Sequence, residues 1–195
     1  HLLNTDPENR GGFGNPFPLE DYTRAESIAL FAYNLCDQLV TRPSLIDAVA
    51  DLSGQTLACW CRSQDEDDPA CHGDVLASWA DHLANPTGTA VAVAGSRTLY
   101  DRFHDQLDGA EAVTELVSNA LEQVRHDNDD LDANPIDAVI HGDNADSPDR
   151  WGEVYAEQHP GISNVERPPN WDVFDSGAGY FKRNSVVVAD ALTYE

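Results

Sequence analysis

Small apolar residues first alternate and then run together over residues 90–97, AVAVAGSR, before breaking at Gly95-Ser96. Such a run between turn signals predicts a buried strand that opens into a tight bend with a cation behind it. Further along, Val113, Leu116, Val117, Ala120, Leu121 and Val124 recur at helical spacing over residues 111–126, and IDAVI at 136–140 predicts a second buried strand. A helix over 149–159 turns Trp151, Val154 and Tyr155 inward, a third strand is predicted over 162–165, and a last helix closes the chain over 178–192. Strand and helix alternate, so the second half is expected to be α/β, a parallel sheet with right-handed crossovers flanked by helices.

The first half has a different rhythm. Residues 11–18, GGFGNPFP, form a turn-rich loop in which Gly and Asn are expected to supply backbone angles other residues avoid. Thr23 and Glu26 then predict a capping box, with Ala25, Ile28, Ala32, Leu35 and Leu39 lining one helical face and Cys36 beside it as a core thiol. Ser44 is placed to cap a second helix ending at Gly54. QTLACWC at 55–61 reads as a short strand, residues 65–68 as a solvated acidic loop, and 71–83 as a third helix burying Val75, Leu76, Trp79 and Leu83. Asn85-Pro86-Thr87-Gly88 is a breaker linker. The expected domains are therefore 1–86, small and mostly helical, and 88–195.

Charge changes the setting of this picture. The 195 residues include 35 acids against 11 bases, a formal net charge of -24, and Lys182 is the only lysine. The acids are spread along the whole chain rather than gathered in a tail, which points to a protein of a salt-loaded cytoplasm, that of a halophile or its virus. There the Debye length falls to about 3 Å and self-repulsion is screened. An acidic partner-binding protein is the alternative, although such proteins collect their acids in blocks. The balance also argues against nucleic acid as a partner, since no basic stripe or aromatic-basic interleaving is present. No apolar run approaches the ~20 residues of a membrane span. The chain has no Met, so its natural start is expected to be missing. Assembly into a homo-oligomer is left open.

Three of the four cysteines cluster beside a histidine. Cys59 and Cys61 alternate with Trp60 and so share one side of an extended segment, while Cys71 and His72 stand at the mouth of the next helix. Three sulfurs and an imidazole are the Cys3His donor set of a tetrahedral zinc site. A reactive thiolate at Cys71 or Cys61, favoured by the positive end of the helix, is a second reading. Burial of small apolar thiols is a third. An intracellular setting argues for metal or thiol chemistry rather than a disulfide frame.

These residues carry a resemblance. The GFGNPF loop, Arg24 and Glu26 in the helix, then LACWC and CHGDVL make residues 11–84 similar to an uncharacterised domain family common in phages and prokaryotes. That family implies a domain boundary and no established activity. Here the loop between the cysteine pairs is lengthened by residues 64–68.

In the second half two strand-end loops are expected to converge, Gly95-Ser96-Arg97 and residues 141–147, HGDNADS, with Gly177-Ala178-Gly179 and then Lys182, Arg183 and Asn184 opening the last helix. Small residues there let a ligand approach the backbone, and first-turn N–H groups suit a phosphate. Surface ion pairing of Arg97 and Arg183 is the plainer alternative. The succession VAVAGSR, VIHGD, RPPNW, GAG, RN and AD over residues 89–191 resembles the YspA-like branch of the SLOG superfamily, Rossmann-like domains related to the LOG phosphoribohydrolases. The resemblance implies a nucleotide or nucleotide-derived ligand at the strand ends. Carried over by position, Gly95, Ser96 and Arg97 would hold one loop, Gly142 with Asp149 and Arg150 the second, and Gly179, Arg183 and Asn184 the third. The second loop departs from the glycine-rich pattern in carrying Asp143, Asn144, Asp146, Ser147 and Pro148. These carboxylates can instead hold Mg²⁺ or polarise a ribose.

The expected function is accordingly the binding of a nucleotide-type small molecule, with hydrolysis of its N-glycosidic bond if Asp143, Asp146 or Asp149 stabilises the oxocarbenium-like centre or activates water. The LOG-type loop with its catalytic glutamate is not visible in the chain. The alternatives are a nucleotide sensor without turnover and a zinc-stabilised interaction protein.

Overall fold

Helix α1, Arg24–Thr41, begins where the sequence supplies reciprocal caps. The Glu26 N–H donates to Thr23 Oγ1 at 3.3 Å and the Thr23 N–H to Glu26 Oε2 at 2.8 Å, so two otherwise orphaned donors are satisfied. In the computed structural model, residues 13–59, 70–95, 110–127, 136–145, 147–174 and 176–194 are described. The chain forms two compact units, residues 1–86 with 170–189, and residues 87–169 with 190–195.

The first unit is helical. Helix α1 buries Phe31, Leu35, Cys36 and Leu39, so the thiol expected in the core is there. Its buried stripe differs from the apolar spacing at the start: Ala25 is exposed and Ser27 is buried, because Ser27 is held by the preceding loop. Helix α2, Ser44–Ala50, buries Leu45 and Val49. Its N-cap is Pro43, so Ser44 is the first helical residue and caps nothing. Helix α3, His72–Ala84, buries Leu76, Ala80 and Leu83 and packs against both earlier helices, while Val75 and Trp79 are only half-buried. The strand expected over 55–61 is absent from its described part. Residues 55–59 are irregular, because no neighbouring strand pairs with them; Leu57, Ala58 and Cys59 instead line a cleft.

The closing helix, expected with the second half, clusters with the first unit over most of its length. Contacts of the helix and of the segment that leads into it explain why. The Asn170 N–H donates to Tyr33 Oη at 3.2 Å, Phe174 meets the Tyr33 ring edge-on at 4.7 Å, and Ser185 Oγ donates to Asp37 at 2.9 Å.

The second unit is the α/β part. Strands β1 (Ala90–Val93), β2 (Ala138–His141) and β3 (Ser163–Glu166) form a parallel sheet in the order β1-β2-β3. The register aligns Ala90 with Ala138 and Ala138 with Ser163. The central strand AVIH is buried throughout, as a strand covered on both faces must be, whereas the edge strand SNVE is largely exposed. Helices α4 (Ala110–Asp127) and α5 (Pro148–Gln158) make the crossovers. Val93, Leu121, Ile136, Val139, Tyr155, Ala156 and Ile162 form one core cluster. Gly152 lets α5 lie close on the sheet: a Cβ there would stand 3.0 Å from Val139 and 3.2 Å from Val93. Gly88, with φ +70°, turns the chain into β1 beside the Asp137 carboxylate, which accepts the Thr89 N–H at 2.7 Å. Helix α6, Ser176–Ala191, ends the regular structure. No described helix is long and apolar enough to cross a membrane.

Candidate metal centre and adjoining cleft

Cys71 is the N-cap of α3, and the sulfur does the capping. Its Sγ accepts the Gly73 N–H at 3.3 Å while its own N–H donates to Asp74 Oδ2 at 3.1 Å. A sulfur at this end of a helix faces free N–H groups and the positive end of the dipole, both of which favour thiolate. His72 is the first helical residue, and its ring meets the Phe31 ring edge-on at 5.1 Å. Burial holds the imidazole below the ordinary histidine value of 6.5, with Asp74 opposing the shift, so the neutral, ligating form is favoured. Cys59 comes to the same place from the irregular segment, its Sγ 3.5 Å from His72 Nδ1.

The donor atoms of Cys59, Cys71 and His72 all lie within 4.8 Å of one another, a group that can hold a metal ion. Two thiols and an imidazole suit zinc or another borderline metal rather than magnesium or calcium. Cys61, the fourth residue expected here, lies outside the described residues, as do the acids at 65–68.

Cys59 and His72 also form part of the wall of a cleft of about 720 Å³. The GNPF loop lines it as well, and the geometry of that loop rests on hydrogen bonds rather than unusual torsions. Neither Gly14 nor Asn15 is among the described residues with positive φ, contrary to the expectation that they supply avoided backbone angles. Asn15 acts through its amide instead: Nδ2 donates to Ser27 Oγ at 2.9 Å, and Oδ1 accepts the Phe17 N–H at 3.0 Å. Ser27 Oγ in turn donates to the Phe17 carbonyl at 2.6 Å, closing a clamp between loop and helix. Sequence reasoning missed this clamp and the cleft it shapes. A signal was present, since residues 10–19 and 52–64 are free of acids in a chain where acids are dense, and both stretches supply wall residues.

Residues 8–82 match the family described as a domain of unknown function, DUF4326. The N-terminal region is a DUF4326 domain. The match takes in Asn15, Ser27, Cys59, Cys71 and His72 and stops before β1, so the expected uncharacterised family covers the cleft and the donor group together. No curated protein and no solved structure matches the chain.

Beyond the DUF4326 domain, the strand-end residues fall in different places. Ser96, Arg97 and Asp146 lie outside the described residues. Gly95 follows β1, and the Pro148 ring fills the space its Cβ would take. Gly142 is buried after β2. His141, fully buried, accepts the Asp143 N–H at Nδ1 and by elimination donates from Nε2 to Asn164 Oδ1 at 2.7 Å. Asp143 is exposed with φ 54°. Asp149 is fully buried in the first turn of α5, its N–H donating to the capping Ser147 Oγ at 3.2 Å. Arg150 is exposed and paired with Glu153.

Gly179, Arg183 and Asn184 belong to α6 in the other compact unit. The Trp171 ring stands 2.8 Å from where a Gly179 Cβ would be, so this glycine admits the chain's own indole. Arg183 is buried, with its guanidinium 5.8 Å from the centre of the Tyr180 ring.

Proposed function

We propose that the DUF4326 domain is a zinc domain in which Cys59, Cys71 and His72 hold the ion. The observation that carries this reading is the approach of three donors, from an irregular segment and a helix start, to within 4.8 Å of one another. Cys59, Cys71 and His72 fill three positions, and the fourth is open either to Cys61, the further donor the sequence offers, or to a donor from outside the chain. Zinc supplies a point of high positive charge that ties residues 55–59 to α3, a segment that has no strand ladder to fix it. The Cys71 cap and the neutral His72 prepare two donors in their ligating states. The test is elemental analysis of protein purified without chelator. One zinc per chain, lost in Cys59→Ser and in Cys71→Ser, supports the reading; no zinc in the unaltered chain ends it.

A second reading concerns the α/β unit: that it binds a nucleotide-type ligand, with or without N-glycosidic cleavage. What favours it is the parallel order of β1, β2 and β3, which puts all three carboxyl ends on one edge, where α5 also begins. Asp143 and Asp149 stand there as the carboxylates for water activation, oxocarbenium stabilisation or a bound Mg²⁺. Incubation in high salt with nucleoside monophosphates, NAD and ADP-ribose separates the possibilities. Release of free base supports a hydrolase, saturable binding without turnover supports a sensor, and neither result ends the reading.

A further inference from the structure

The cleft beside the donor group differs chemically from the rest of the chain. Acids make up 35 of 195 residues, yet none of the described residues lining the cleft is Asp or Glu. A cation, Arg24, lies on its wall, and Phe13, Phe17, Ile28, Leu57 and Leu76 supply apolar surface. Cys59 and His72 line this space, while Cys71 is buried and is not among the lining residues. A closed structural site has all four positions filled by protein ligands; here three donors are described, and two of them line a space of about 720 Å³.

An anion elsewhere on a chain of net charge -24 meets repulsion, whereas the described wall of this cleft carries a guanidinium and no acid, and a zinc ion whose charge two thiolates offset still accepts an oxygen donor at an open position. The volume falls within the ~300–1,000 Å³ of small-molecule sites, and mostly apolar walls with few polar groups are their usual lining.

We infer that the cleft is a binding site for a small organic anion with an aromatic or branched apolar body, whose oxygen donors reach the metal held by Cys59, Cys71 and His72. The inference rests on the zinc reading and deepens it. The apolar wall takes the body of the ligand, and Arg24 sets its charge preference. The clamp of Asn15 and Ser27 holds a loop that lines the cleft, so these two act as positioning residues.

The experiment uses the full chain with Co²⁺ in place of zinc, whose visible absorption reports the ligand field. Benzohydroxamate serves as the probe and acetohydroxamate, which has the same donor group without the ring, as its control. The expected result is a change in the cobalt spectrum that saturates with benzohydroxamate at a concentration at least tenfold below that needed with acetohydroxamate. Ile28→Glu is expected to weaken benzohydroxamate at least tenfold, and Arg24→Gln several-fold, each with cobalt uptake retained. A cobalt spectrum that forms but responds to neither probe overturns the cleft inference and leaves the metal site standing. Equal response to both probes, or no loss of affinity in either variant, overturns the assignment of the apolar body and the anion preference. Failure to take up cobalt or zinc overturns the metal reading and this inference with it.

Discussion

In the first unit the chemistry-bearing side chains sit on segments without regular structure or at the very start of a helix, and two of the three donors line open space. In the α/β unit the comparable loops follow buried strands, and much of what they offer is turned toward the protein itself. Cys59 and His72 border a cleft, whereas the space beside Gly95 is filled by Pro148 and His141 is sealed between Asn164 and the Asp143 backbone. Small residues therefore mean different things in the two places. A glycine after a strand is as useful for admitting a proline ring as for admitting a phosphate, and only the neighbour tells which.

Removing the metal tests the first half of that contrast most severely. If zinc ties residues 55–59 to α3, chelation at neutral pH is expected to lower stability by about 3 kcal/mol, or about 10 °C in a chain of this size. Thermal melting followed by circular dichroism reads it. A chelated sample that melts with the zinc-loaded one would show that the donors hold no ion that matters to the fold.

The second half of the contrast is broken or sharpened by adding one methyl group. Gly95→Ala places its Cβ against the Pro148 ring, and Gly152→Ala places its Cβ 3.0 Å from Val139. Each is expected to cost about 1–3 kcal/mol through overpacking. Urea denaturation measures both. If Gly95→Ala leaves stability unchanged, the glycine is not a packing residue, and the reading of that turn as a ligand loop gains ground.

How much of this was legible beforehand follows from what each signal depends on. The α/β alternation was readable because AVAV and the AVI that follows Asp137 are apolar without a break, which in a short run fits a strand covered on both faces. QTLACWC has the same local texture and yet residues 55–59 form no strand, since pairing needs a partner that the sequence pattern does not specify. Cys71 and His72 at a helix mouth were legible from CHGDVL, and their meeting with Cys59 from the donor types alone. The role of Asn15 was not. Its side chain reaches Ser27, twelve residues away, and a long-range amide clamp has no periodicity to betray it. The closing helix and the segment before it cluster with the first unit through Asp37 and Tyr33, polar contacts that an apolar pattern cannot foretell.

That clamp gives an effect of intermediate size. Asn15→Ala removes the bonds to Ser27 and Phe17 and leaves the Ser27 hydroxyl half-satisfied, an expected loss of about 1–2 kcal/mol. Asn15→Asp keeps the acceptor for the Phe17 N–H but loses the donor and adds an acid to a cleft whose described lining has none. Its stability is expected to fall comparably, and its affinity for an anionic probe further than that of the alanine variant. Measuring both separates the structural share of Asn15 from the electrostatic one, because only the aspartate changes the charge of the wall.

The smallest effect concerns His72 in the metal-free protein. Burial lowers its pKa in the folded state below the ordinary 6.5, so the unfolded chain binds the proton more readily. Above 6.5 both states are neutral and the group adds no pH dependence. As pH falls below 6.5 the unfolded state gains a proton first, and stability is lost until the folded-state pKa is reached. The ring is only partly buried and Asp74 opposes the shift, so the slope is expected to be shallow. His72→Gln should flatten it. Urea denaturation of apo protein between pH 7.5 and 5, in steps of about half a unit, shows the difference between the two chains. A wild-type slope that survives in His72→Gln would move its origin to another group. The same difference erased by zinc would tie the imidazole to the ion, since a ligating nitrogen has no free pair for the proton.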